Sequence, residues 1–247
     1  DETCTYVPEK PYTVTYDANG GAGEMAPSQF YYDVAQALSI NTFTRSGYKF
    51  IGWAKTPEGA VEFSDGAVVK NLTNVENGNV VLYAQWTTLY TITYDANGGN
   101  GAMEDSLFEF NVFYNLRKNT FTRENYEFAG WSRETDGAKE YSDEESVSNL
   151  TSEPDGHVTL YAVWNNKYTV TYHANGGSGE MQPSTFVYGK EYKLTSNAFN
   201  KDGFNFKGWS TEPGGAVVYS NGATVSNLTT EPGGNIDLYA VWSVDGE

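Results

Sequence analysis

Few side chains in this sequence combine a reactive type with regular spacing, and those that do recur at steps of 78 residues. Arg45, Arg123 and Lys201 keep a cation at one repeated position. That cation could meet an acidic glycan or a neighbouring module, or it could flank a turn and pair with surrounding carboxylates. Asp17, Asp95 and His173 sit beside an Asn-Gly-Gly turn and at first suggest a calcium loop. Calcium takes about six to eight oxygen ligands, yet the third position offers imidazole and no acidic cluster surrounds the other two. A side chain that opens the turn is the better reading. Asn71-Leu72-Thr73, Asn149-Leu150-Thr151 and Asn227-Leu228-Thr229 match the glycosylation acceptor pattern, although Asn and Thr closing a short turn explain the same residues. Trp53, Trp131 and Trp209, with Tyr83, Tyr161 and Tyr239, could form an aromatic shelf for a sugar ring. Trp53 falls out of phase with Tyr48 and Phe50, which places it on the opposite side of a strand. The structural alternative is one Trp covering the second face of a small sheet.

What the sequence repeats argues against catalysis. Residues 12–86, 90–164 and 168–242 align without a gap, and 30 of the 75 columns are identical in all three copies. None of those columns holds Asp, Glu, Lys, Arg, His or Cys. General acid–base catalysis needs a titratable group, and metal sites need His, Cys or carboxylate ligands. A site carried by every copy would appear in every copy. The expectation is therefore no enzyme, no catalytic residue, no metal and no cofactor. His157 and His173 are the only histidines and have no shared partners. Lys49 becomes Glu127 and then Asn205, so a lysine crosslink repeated in each copy is excluded. The candidate ligand contacts that remain are Trp53, Trp131 and Trp209 with Arg45, Arg123 and Lys201.

The 247 residues carry a net charge of −17, which argues against nucleic acid, whose phosphates require Lys and Arg footprints, and equally against anionic membrane surfaces. Like charge keeps such a surface soluble. Modules of this size bury only about 60% of their unfolded surface, so each core must be dense, and an aromatic content of 15% supplies the area. Cys4, the only cysteine, lies outside the repeats, which leaves the modules to packing alone. No apolar run is long enough to span a membrane. A short linker, Val7-Pro8-Glu9-Lys10-Pro11, and a brief tail at 243–247 frame the copies, and the chain reads as an excerpt from something longer.

Each copy reads as strands. Tyr12-Thr13-Val14-Thr15-Tyr16 alternates large apolar residues with Thr, and Ala18-Asn19-Gly20-Gly21 follows as a tight turn. A second strand runs through Phe30 and Tyr32, with Met25 filling the end of the core. Gly47, Asn125 and Gly203 mark a left-handed turn residue. A third strand covers Tyr48 to Trp53, a short one contains Phe63, and Val80 to Trp86 forms a central closing strand. Val69 to Thr73 looks like one helical turn with Leu72 pointing inward. The three-residue links Thr87-Thr88-Leu89 and Asn165-Asn166-Lys167 leave neighbouring modules little freedom. The fold class expected is mostly β, with five-stranded small modules in an elongated tandem array and little helix.

The strings Tyr12 to Gly21, Phe43 to Trp53 and Leu82 to Trp86, repeated threefold, resemble the Listeria–Bacteroides repeat, a family that includes the B repeats of internalin-type surface proteins. The resemblance implies a β-grasp-like (α+β) module, secreted or attached to the bacterial cell surface and serving as spacer and adhesion segment. It brings no catalytic residues. The expectation is a monomeric, non-catalytic, stiff extracellular rod with an unknown surface protein or glycan as partner. The alternative is a carbohydrate- or host-protein-binding module that gains avidity from its repeats.

Overall fold

The computed structural model describes residues 10–244, and within them the chain forms strands, turns and irregular segments without a helix. Cys4 and most of the preceding linker fall outside the described residues. The first copy contributes β1 (Pro11–Asp17), β2 (Ser28–Tyr31), β3 (Gln36–Ala37), β4 (Tyr48–Ala54) and β5 (Val68–Val69). The next strand, β6 (Asn79–Asp95), closes the first copy and opens the second without a break. The second copy continues with β7 (Ser106–Glu109), β8 (Tyr114–Asn115), β9 (Tyr126–Ser132) and β10 (Ser146–Val147). Another long strand, β11 (Gly156–His173), passes into the third copy, which adds β12 (Ser184–Val187), β13 (Glu191–Lys193), β14 (Phe204–Ser210), β15 (Thr224–Ser226) and β16 (Asn235–Val244).

By packing, the chain divides into two compact units. Among the described residues, one comprises the chain up to Thr93 with Asp105–Leu116 and Ser146–Val158, and the other Tyr94–Glu104, Arg117–Glu145 and the chain from Thr159 onward. In the first unit β1 pairs antiparallel with β2 and parallel with β6, and β4 pairs antiparallel with β6. The order is thus β2–β1–β6–β4, with a small β3–β5 ribbon beside it. The second unit repeats the order as β12–β11–β16–β14, with β13–β15 as its ribbon.

Alternation does what the Tyr-Thr-Val-Thr-Tyr pattern predicts. Tyr12, Val14 and Tyr16 are buried in the first copy, as are Tyr168, Val170 and Tyr172 in the third. Both cores gather Leu, Phe and Trp from the same repeated positions, with Met25 and Met181 packed at their edges. The strand β4 does not keep strict alternation. A bulge between Phe50 and Gly52 adds a residue, so Phe50 and Trp53 come onto the same side, ring centroids 4.9 Å apart. Gly52 holds φ at 140°, and a Cβ there would stand 2.6 Å from the Phe63 carbonyl oxygen. Bulges insert one residue and turn the following side chains over, which corrects the expectation that Trp53 faces the opposite side.

The helical turn expected at Val69 to Thr73 is not formed. Asn71 adopts φ of 56°, and its equivalents Asn149 and Asn227 adopt 54° and 52°. One left-handed residue ends any right-handed turn. The segment instead pairs briefly as β5, while Leu72 still packs on the core. Phe63 makes an isolated bridge to Trp53 rather than a strand.

Candidate functional site

The repeated cation and the Asn-Gly-Gly turn form one cluster. Asn19 and Gly20 hold φ of 46° and 86°, and Gly21 N–H donates to Ala18 O at 2.9 Å, which closes a tight turn of the primed kind. Asp17 Oδ1 accepts from Asn19 N–H at 2.8 Å, as Asp95 does from Asn97 at 2.7 Å. The Asn19 amide donates to Pro57 O at 2.7 Å and to Ala84 O at 2.9 Å, tying the turn to a distant loop and to β6. Asn97 and Asn175 repeat both bonds. The Trp86 indole donates to Ala18 O at 2.9 Å, with Trp164 and Trp242 doing the same in their copies.

The cation lies over this turn. Arg45 stacks on Tyr48 with its guanidinium carbon 3.9 Å from the ring centroid, and Arg123 on Tyr126 at 4.0 Å. The Lys201 ammonium is 4.4 Å from the Phe204 centroid. On its other side the cation faces bare glycine backbone, since a Cβ on Gly20 or Gly98 would come within 3.4 or 3.3 Å of the guanidinium. The partner of this cation is therefore an aromatic ring. That corrects the expected carboxylate pairing, and a flat guanidinium packs better in such a slot than a point-charge ammonium. Among the described residues the Arg45 and Arg123 guanidinium groups have no hydrogen-bond or ion-pair partner, so their N–H groups are available to donate.

The aromatic shelf fares differently. Trp53, Trp131 and Trp209 are 0% exposed. Each is enclosed by a Tyr and two Phe rings, for Trp53 by Tyr16, Phe43 and Phe50. A ring with no exposed surface cannot stack on a sugar, and the bulge described above explains why it turned inward. His173 is drawn aside as well: its Nε2 lies 2.7 Å from Asp237 Oδ1 and its ring stacks on Tyr239. The imidazole beside Asp237 holds that carboxyl below its ordinary range. Asn71 is engaged too, accepting from Asp33 N–H and donating to Asp33 Oδ1, and Asn149 does the same with Asn111.

A second arrangement sits where copies meet, and column comparison did not reveal it. In the first unit Leu89 N–H donates to Gly47 O at 2.8 Å, and Asp155 N–H donates to Leu89 O at 3.1 Å. The second unit repeats this ladder through Lys167, which donates to Asn125 O and accepts from Gly233 N–H. Side chains add to it: Ser46 Oγ donates to Asp155 Oδ2 at 2.7 Å, and Lys49 pairs with Glu109 at 2.6 Å. At the next junction the polarity is reversed, with Glu127 in the Lys49 column paired to Lys190. The carboxylates hold both lysines above their ordinary range. Lys190 is not in the Glu109 column, so no repeated charge signalled the pair. The only sequence trace is the change of sign from Lys49 to Glu127.

Comparisons with known proteins agree with the repeat. The model of the Listeria-Bacteroides repeat domain matches residues 12–85, 90–163 and 168–241. A protein of Evansella cellulosilytica named "Putative membrane protein" is 26% identical over 248 aligned positions, covering 94% of this chain and 33% of that protein. Another from the same organism, named "Putative Gly-rich membrane protein", is 29% identical over 171 positions, covering 66% of this chain and 19% of that protein. The chain thus spans a third or less of the length of these relatives.

Proposed function

The chain belongs to the Listeria-Bacteroides repeat family, and on that premise we propose that it is a non-catalytic spacer and adhesion segment of a bacterial surface protein. The observation that carries the reading is the pair of strands β6 and β11, each of which closes one copy and opens the next. A flexible hinge needs unpaired backbone. Here the linking residues Leu89 and Lys167 are instead hydrogen-bonded to turns on both sides. Such a junction suits a stiff spacer. The modules are taken as 12–86, 90–164 and 168–242, each a β-grasp-like sheet; the order β2–β1–β6–β4 with β1 parallel to β6 supports that reading. The absence of Asp, Glu, Lys, Arg, His and Cys from the fixed columns supports a non-catalytic role. The relatives' names, both of membrane proteins, support a place at the cell surface. We take the segment to lie outside the cell, with a surface protein or glycan as its partner.

Small-angle scattering tests the spacer. A compact module of this size has a diameter of about 30 Å, so three in line reach roughly 90 Å as a monomer. A maximum dimension near ~60 Å, the size of a compact ball of three such modules, would sink the proposal.

A further inference from the structure

The three copies share the stacked cation but not all the residues beside it. In the second copy a cleft of about 450 Å³ opens between the Asn97–Gly98 turn, Arg123, the Thr135–Asp136 loop, Val163 and Trp164. Its walls are pinned, because the Asn97 amide bonds both Thr135 O and Ala162 O and the Trp164 indole bonds Ala96 O. In the first copy Gln85 stands where Val163 stands, and its amide reaches Thr56 O at 3.3 Å and Pro57 O at 3.2 Å. That amide lies across the equivalent space. The third copy keeps a Val, but has Gly214 in place of Asp136 and Lys201 in place of Arg123. The second copy thus brings an open cleft, a guanidinium and a carboxylate together.

Arg123 lies over the Tyr126 ring and close to Gly98, and neither Arg123 nor Asp136 has an ion-pair partner among the described residues. Two opposite charges thus line one polar cleft without neutralising each other. A guanidinium edge recognises a carboxylate with two parallel hydrogen bonds, while a carboxylate and a hydroxyl such as Thr135 suit the ring hydroxyls of a sugar. The geometry points to a binding site for an acidic sugar of the uronate class, its carboxylate on Arg123 and its hydroxyls on Asp136 and Thr135. The net charge of −17 opposes a long polyanion, so the site takes a short acidic sugar better than an extended polyuronate.

The test uses the full isotope-labelled chain titrated with galacturonic acid trisaccharide, with its neutral methyl ester as comparison, followed by amide shifts in NMR. The expected result is saturable shifts at Gly98 and at Thr135 to Gly137, absent with the methyl ester. R123Q weakens binding about tenfold or more, as loss of a charge-assisted pair implies. V163Q, which brings in the first copy's bridging amide, closes the cleft and removes binding while the rest of the spectrum stays folded. Equal binding of the methyl ester, unchanged affinity in R123Q and V163Q, or no localised shift with the trisaccharide overturns the site. None of these outcomes bears on the scattering test of the spacer.

Discussion

Replacing Asn19 separates two contributions that the structure places in one residue. The side-chain amide makes two hydrogen bonds, to Pro57 O and Ala84 O, and the backbone sits at φ of 46°. Each neutral hydrogen bond contributes roughly 0.5–1.5 kcal/mol net, so the amide accounts for about 1–3 kcal/mol. Ala in the left-handed region adds about 1 kcal/mol that Asn tolerates and Gly escapes. Asn19→Gly is therefore expected to cost about 1–3 kcal/mol, and Asn19→Ala roughly 1 kcal/mol more. Urea unfolding followed by tryptophan fluorescence gives the midpoints, and hydrogen exchange over residues 12–31 reports whether the loss is local. Asn19→Gly at wild-type stability would show that the amide ties contribute nothing. Equal losses in the two variants would show that backbone strain is not the second term.

Trp53→Ala is expected to cost about 3–5 kcal/mol, because the ring is enclosed in the core; a variant that stays within about 0.5 kcal/mol of wild type in the same urea assay would refute its burial. At the first junction Lys49→Glu sets two carboxylates face to face, and adding Glu109→Lys restores the pair with its polarity reversed. A coupling of about 0.3–1 kcal/mol between the two sites is expected, its partly exposed position keeping it small, and strictly additive effects would contradict the pairing. Asp237 has a depressed folded pKa, so its contribution is complete above the unfolded carboxylate range and is lost as pH falls through the lower folded value. His173→Gln should shrink that acid-limb loss in thermal melts across pH, and an unchanged limb would reject His173 as its cause.

Much of the architecture was legible because the repeat reports what each position requires. The Asn-Gly-Gly turn, the left-handed residues at Gly47, Asn125 and Gly203, and the alternating opening strand all follow from local chemistry and are found as read. The Trp53 face was not legible, since a one-residue bulge inverts strand parity and Gly52 alone does not announce it. The short helical turn failed for a similar reason: a single left-handed Asn71 overrides the pattern around it. Of the candidate site, the cation column was visible but its partner was not, because a ring at Tyr48 looks like ordinary core in sequence. The junction pairs escaped since Glu109 and Lys190 occupy different columns, and column comparison sees only what copies share.

The unbroken strand β6 also constrains how such an array can gain or lose copies. Its inward residues Leu82, Ala84, Tyr90, Ile92 and Tyr94 all fall on even positions, on both sides of the three-residue link. The strand therefore carries one parity from copy to copy, and the repeat step of 78, being even, preserves it. A link shortened or lengthened by one residue would turn every side chain of the following opening strand to the wrong face. Insertions and deletions between copies are thus filtered two residues at a time, and whole copies can be added or removed without cost to the pattern.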